Sequence, residues 1–172
     1  MDRRKFIKNS SIATLALATG VNTNSLASVS KISQNNNLKV GLIGSGWYGM
    51  VVAKAALQAG GVEITAVADV DSDHLKNSIN ELTTLQGTTP KGFKDYRELL
   101  NTKDLEAVII GTPPHWHALQ FVDACKKGLP IYCEKPLAYD VDEGKAMVSA
   151  AKKAGNIVQI GFQRRQSQAF QK

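Results

Sequence analysis

Between positions 38 and 162, apolar residues fall into short runs separated by turn residues, with stretches of helical spacing between them. Leu38–Ile43 reads as a buried strand, and Val62–Ala68 alternates as a sheet strand does. Positions 105–110, 130–133 and 157–162 give further strands. Helix-compatible segments run from 48 to about 59, from about 72, from 95 to 100, from the loop near 112–117 to about 127, and from 142 to 154. Asp95-Tyr96-Arg97-Glu98 has the form of a capping box, and Asp142 is expected to cap the last helix. Alternation of strand and helix argues for α/β architecture, a doubly wound parallel sheet covered on both faces.

The turn after the first strand is Gly44-Ser45-Gly46-Trp47-Tyr48-Gly49, with G-x-G-x-x-G spacing. Placed between a strand and a helix, Gly44 allows the tight turn and Gly46 lets backbone amides approach a diphosphate. Gly49 lets helix and strand pack closely, with the helix N-terminus facing phosphate charge. The second strand ends at Asp69, 25 positions after Gly44, near the roughly 20-residue spacing of a ribose-binding acid. A carboxylate there accepts from ribose hydroxyls and repels a 2′-phosphate. Val70 follows where an arginine would suit NADP, so NAD is favoured. The reading is a Rossmann-type dinucleotide site. The competing reading of Asp69, Asp71 and Asp73 is a solvated turn capping a helix.

Residues 1–27 read as a leader outside the domain. The basic head carries Arg3-Arg4 followed by Lys5 and Phe6, an uncharged stretch spans 11–21, and small residues follow at Ser25 and Ala27. The arginine pair points to the twin-arginine export machinery and a periplasmic or secreted protein. The apolar stretch is short for a membrane span, and no cysteine for lipidation lies near the cut. An uncleaved amphipathic N-terminus is the alternative. Because that route moves folded proteins, export predicts a tightly held NAD(P) loaded beforehand. Residues 28–37 form a polar linker.

Charge changes the picture little. The chain carries 21 basic and 15 acidic residues for a net +6; without the four basic residues and one acid of the leader, 17 face 14. That mild excess forms no basic stripe, so nucleic-acid binding is not indicated. Cys125 and Cys133 read as small buried hydrophobes without a disulfide. The His115-x-His117 pair has no third ligand at usable spacing, so no metal is expected. Trp47 and Trp116 either line a cleft or belong to the core.

Two further loops fall at the carboxyl ends of strands, where open α/β sheets place ligands. They are Thr112-Pro113-Pro114-His115-Trp116-His117 and Glu134-Lys135-Pro136. Together with the glycine turn, Asp69 and Gln159-Ile160-Gly161-Phe162-Gln163-Arg164-Arg165, their order resembles the Gfo/Idh/MocA family of NAD(P)-dependent oxidoreductases over residues 38–165. The exported leader resembles the secreted branch of that family.

The resemblance implies a cofactor site including Thr112, Pro113, His117, Glu134 and Lys135. Lys135 is implied as the catalytic side chain, beside the nicotinamide and the reacting hydroxyl, where a lysine can exchange a proton with substrate. Glu134 is implied to orient it or to contact the nicotinamide ribose, and a cis bond before Pro136 is implied to aim it. Pro114 stands where the family often has asparagine. For His117, cofactor contact and a structural role at the helix start stay open. The implied activity is hydride transfer between a sugar or cyclitol hydroxyl and nicotinamide. NAD-dependent glycoside hydrolysis and non-catalytic dinucleotide binding are the alternatives. Relatives continue into a substrate domain and can form homo-oligomers. The expectation is therefore a nucleotide-binding half, with 166–172 opening the missing domain, inactive alone and exposing one face of its last strand.

Overall fold

The computed structural model describes residues 37–166. The leader, nearly all of the polar linker and the positions after 166 lie outside the described residues. Six strands alternate with helices: β1 (Leu38–Ile43), α1 (Trp47–Ala59), β2 (Val62–Ala68), α2 (Ser72–Gln86), β3 (Lys91–Phe93), α3 (Tyr96–Leu99), β4 (Ala107–Ile110), α4 (Pro114–Lys126), β5 (Ile131–Glu134), α5 (Val141–Ala154) and β6 (Val158–Gly161). A 3₁₀ turn, Gln163–Gln166, follows. The strands form one sheet in the order β3-β2-β1-β4-β5-β6, and every neighbouring pair is parallel. The chain winds outward from β1 to β3, then returns to β4 on the other side of β1. That reversal opens a crevice above the carboxyl ends of β1 and β4.

Alternation along the strands divides the core between the two faces. Val40, Leu42, Ile64, Val67 and Ile109 join Met50 and Ala53 of α1 and Leu82 of α2. Ile43, Ala66, Ala68, Val108 and Ile110 join residues of α3, α4 and α5, among them Leu99, Phe121 and Met147. Ile64 and Val67 reach the same face although they are three apart. The register between β1 and β2 shifts between Val40 and Gly41, so β2 carries one extra residue there. Each buried Leu, Ile or Phe stabilises by about 1.5–3 kcal/mol, against about 0–1 kcal/mol for exposed ion pairs such as Lys54–Glu81. The sheet core therefore dominates stability.

Local signals account for most boundaries. Asp71 and Asp95 cap α2 and α3, their carboxylates accepting from Asp73 and His74 N–H and from Arg97 N–H. The cap of α5 is Asp140 and not Asp142: Asp140 Oδ1 accepts from Glu143 N–H at 2.8 Å, and Asp142 lies in the first turn. Glu143 reaches back to Tyr139 N–H at 2.9 Å, which fixes the start two residues earlier than expected. The three-residue strand β3 carried no sequence signal, being short and centred on Gly92. It pairs with β2 because Gly92 leaves room for Ile79 of α2. Cys125 and Cys133 are buried and free, and burial pushes the Cys133 thiol up to about 12. Flanking β6, Ile157 and Phe162 are exposed.

Gly49 sets the distance between α1 and the sheet. A Cβ at this position would collide with the Gly44 carbonyl oxygen, and Gly111 lies against the Gly49 backbone. Gly49→Ala is therefore expected to destabilise the fold by about 2 kcal/mol or more, because backbone and not a flexible side chain must yield. Urea unfolding of the variant against the unsubstituted chain measures this; equal midpoints would contradict it.

Candidate functional site

The glycine turn is shaped by backbone alone. Gly44 has φ +85°, and a side chain there would press on Thr112 at 2.6–2.8 Å, so β1 hands over to α1 directly beneath the β4–α4 loop. Gly46 is the N-cap of α1. Nothing lies within 4 Å of where its Cβ would be. No side chain caps α1 and its first turn holds no acid, whereas α2, α3 and α5 are each capped by an aspartate. The first amides of α1 thus have no side-chain partner, as in α4, and the space beside Gly46 is open, an arrangement that fits a diphosphate.

Asp69 stands across this opening. Its Oδ2 accepts from Ser45 N–H at 2.7 Å and from the Ser45 hydroxyl at 3.2 Å, and its Oδ1 accepts from Asp71 N–H at 3.0 Å. A carboxylate offers about four acceptor positions, so one remains for ribose hydroxyls. Asp71 belongs to the helix cap: hydrogen bonds from His74 and Asp73 amides hold its carboxyl below the usual range.

A cleft of about 560 Å³ opens between these elements. It brings together Gly44, Gly46, Asp69, Thr112 and Pro113 from the predicted set, with Trp116. Val70, Tyr96, Arg97 and Gln120 are among its other wall residues, with Asp71, His74, Lys94 and Asp95. Trp116 is a wall residue, and Trp47 is 82% exposed beside the cleft, so neither is core. Tyr48 is half-buried and Gly49 buried beneath the turn. Ser45 is buried and acts through Asp69. Tyr96 anchors the far wall, its hydroxyl donating to Asp123 at 2.8 Å; burial, helped by this carboxylate, pushes the phenol up to about 12.

His117 takes the structural role. Its ring is buried, with Nδ1 2.9 Å from the Pro136 carbonyl oxygen and Nε2 2.8 Å from that of Thr112. Each ring nitrogen faces a protein carbonyl, and the single N–H of a neutral imidazole donates to one of the two; the ring packs between the β4–α4 loop and the turn after β5.

That turn carries Lys135, followed by a cis bond to Pro136. Glu134 is 4% exposed, and its carboxylate accepts from Lys135 N–H at 3.0 Å, Gln163 Nε2 at 2.6 Å and Tyr132 hydroxyl at 3.2 Å. Burial and the adjacent Glu134 charge push Tyr132 up to about 12. Glu134 therefore orients the Lys135 backbone. Lys135 is exposed, with no ion-pair partner for its ammonium among the described residues. Glu134 and Lys135 sit one strand beyond the cleft, on the same edge of the sheet, outside its lining.

Sequence reasoning missed Gln120, Tyr132 and Gly161. A Cβ at Gly161 would meet Glu134 Oε1 at 2.5 Å and Tyr132 OH at 2.6 Å, so β6 needs glycine there. Gln120 left a signal: it lies among His117, Phe121 and Ala124 on the buried face of α4, where an unexplained polar residue is informative.

Comparison with known proteins fits this geometry. Residues 38–162 match the model of the Gfo/Idh/MocA oxidoreductase family with an NAD-binding Rossmann fold. A glycosyl hydrolase family 109 protein of Shewanella pealeana is 30% identical over 170 residues, spanning 89% of this chain and 37% of that protein. An inositol 2-dehydrogenase of Salmonella paratyphi B is 33% identical over 135 residues, spanning 77% and 39%. The WlbA dehydrogenase of Chromobacterium violaceum, solved with NADH and UDP-GlcNAcA, superposes with a TM-score of 0.72 at 26% identity, covering 79% of this chain and 38% of that one. The chain thus spans less than two-fifths of the length of these relatives.

Gly46→Ala separates fold from binding. The added methyl meets no protein atom, so stability is expected to fall by about 1 kcal/mol or less. NADH affinity should drop at least about tenfold, because the methyl fills the approach to the α1 amides. Paired unfolding and fluorescence titrations check this, and unchanged affinity would refute it.

Proposed function

The chain belongs to the Gfo/Idh/MocA family of NAD-binding oxidoreductases, and on that premise we propose that it is the nucleotide-binding half of an NAD-dependent oxidoreductase acting on a sugar or cyclitol hydroxyl. The observation that carries this reading is the uncapped N-terminus of α1 at Gly46, open at the switch point, with Asp69 held across from it. Asp69 favours NAD, since a carboxylate attracts ribose hydroxyls and repels a 2′-phosphate.

When bound, nicotinamide supplies the hydride acceptor at its C4. The protein's own contribution is placement and proton handling. The α1 amides hold the diphosphate, and Asp69 holds the adenosine ribose. Lys135, whose backbone N–H is held by Glu134, presents an exposed side chain with no ion-pair partner among the described residues; as neutral amine it would take the hydroxyl proton in oxidation, and as ammonium return it in reduction. Inositol 2-dehydrogenase among the relatives supports a polyol substrate. Transfer to the periplasm by the twin-arginine route, with cofactor already loaded, belongs to the same proposal.

A second reading has its own support, because the glycosyl hydrolase family 109 relative aligns over 89% of the chain. Transient oxidation of a sugar to permit elimination would use the same nucleotide half. Release of an aglycone without net NADH, against accumulation of NADH from a free sugar, separates the two.

Protein from the exported fraction, once denatured, is expected to release NAD(H) near one per chain by mass spectrometry. Release of NADP(H) would overturn the role given to Asp69, and failure to release or take up either nucleotide would overturn the site. Lys135→Ala is expected to leave nucleotide content unchanged. It should lower turnover of the full-length protein at least about 100-fold, the scale of a lost acid–base group. Undiminished turnover would remove Lys135 from the chemistry.

A further inference from the structure

Gln120 is 4% exposed, yet it lines the cleft from the core face of α4. The Thr112 hydroxyl donates to its Oε1 at 2.6 Å, which orients the amide. Its Nε2 has no hydrogen-bond partner among the described residues and is not one of their fully buried unpaired atoms, so it reaches the cleft. An amide N–H that reaches the cleft without a protein acceptor is available to a ligand there. The core gives no reason for it: His117, Phe121 and Ala124 on the same helix face are satisfied or apolar. Holding Thr112 needs only the amide oxygen.

The surroundings specify the missing acceptor. The diphosphate position is at Gly46 and the α1 N-terminus, while the walls shared with Gln120 include Val70, Tyr96, Pro113 and Trp116. Charged side chains line the cleft too, among them Lys94, Asp95 and Arg97, but the Tyr96 and Trp116 rings with Val70 and Pro113 offer apolar contact to a neutral ring. A purine offers ring nitrogens that accept from an amide N–H, the pairing by which glutamine reads adenine elsewhere.

We propose that Gln120 is a further cofactor-binding residue, donating from Nε2 to a purine ring nitrogen in the adenosine half of the dinucleotide, with Thr112 as its orienting partner. This rests on the dinucleotide reading above.

The test uses the full chain, titrated with NADH by fluorescence and with ADP by calorimetry. Gln120→Met keeps the size and removes the donor. It is expected to weaken NADH and ADP equally, by about five- to tenfold, the effect of one lost neutral hydrogen bond. Gln120→Glu keeps the shape but presents only oxygen, and should weaken both ligands further. Unfolding midpoints establish that the variants fold. In the unsubstituted chain, the Gln120 side-chain amide resonance should move with ADP and stay fixed with inorganic pyrophosphate, a readout independent of any substitution. Unchanged affinities in folded variants overturn the inference and leave the dinucleotide reading intact. A loss for NADH with none for ADP, or a resonance that pyrophosphate moves equally, overturns the purine assignment. If the unsubstituted chain binds neither NADH nor ADP, the cofactor reading falls and this one with it.

Discussion

Backbone contact between α1 and the carboxyl ends of β1 and β4 is the constraint on which the site depends. Gly49 faces the Gly44 carbonyl, and Gly111 packs on Gly49, so three glycines from three elements meet without a side chain between them. That contact sets the axis of α1 and carries its uncapped first turn to the switch point. The helix dipole alone is worth only about 0.3–1 kcal/mol toward an anion at an exposed helix end. It becomes useful because the turn is held by a far larger investment of buried strand surface on both faces of the sheet.

Around this contact, polar side chains act first on the protein and only then on a ligand. Asp69 braces the glycine turn through Ser45 while retaining acceptor capacity toward the cleft. His117 ties the loop after β4 to the turn after β5, and Glu134 gathers three donors around the Lys135 peptide. Buried polar groups with all partners made are rigid, and unsatisfied ones are expensive. The edge that meets ligand is therefore preformed, with Lys135 exposed on it. The same nucleotide half occurs in relatives named as a dehydrogenase and as a glycosyl hydrolase. Fold and chemistry are thus separable, since chemistry follows from what is grafted beside a shared architecture.

The parallel sheet, its order of elements and the glycine turn were legible because they rest on local rules. Period-two and period-3.6 patterns, a helix opened by Gly46 and an acid ending β2 are all properties of neighbouring residues. Where expectation and structure part, a non-local or competing partner decides. Asp140 caps α5 in place of Asp142 because Glu143 reaches back to Tyr139. The strand β3 exists only because β2 offers an edge and Gly92 admits Ile79.

The sequence by itself determined the fold class, the position of the nucleotide turn and the candidate residues Asp69, Thr112, Glu134 and Lys135. Spacing along one chain encodes the turn and Asp69, while Thr112, Glu134 and Lys135 follow from the resemblance of the ordered motifs to the family. Tertiary structure alone decided how each is held: that His117 is buried between two carbonyls, that Glu134 accepts from the Lys135 backbone, and that Gln120 lines the cleft with its amide oxygen on Thr112. Hydrogen-bond partners are chosen in space, between residues tens of positions apart. No local pattern records which donor will find which acceptor once the sheet has closed.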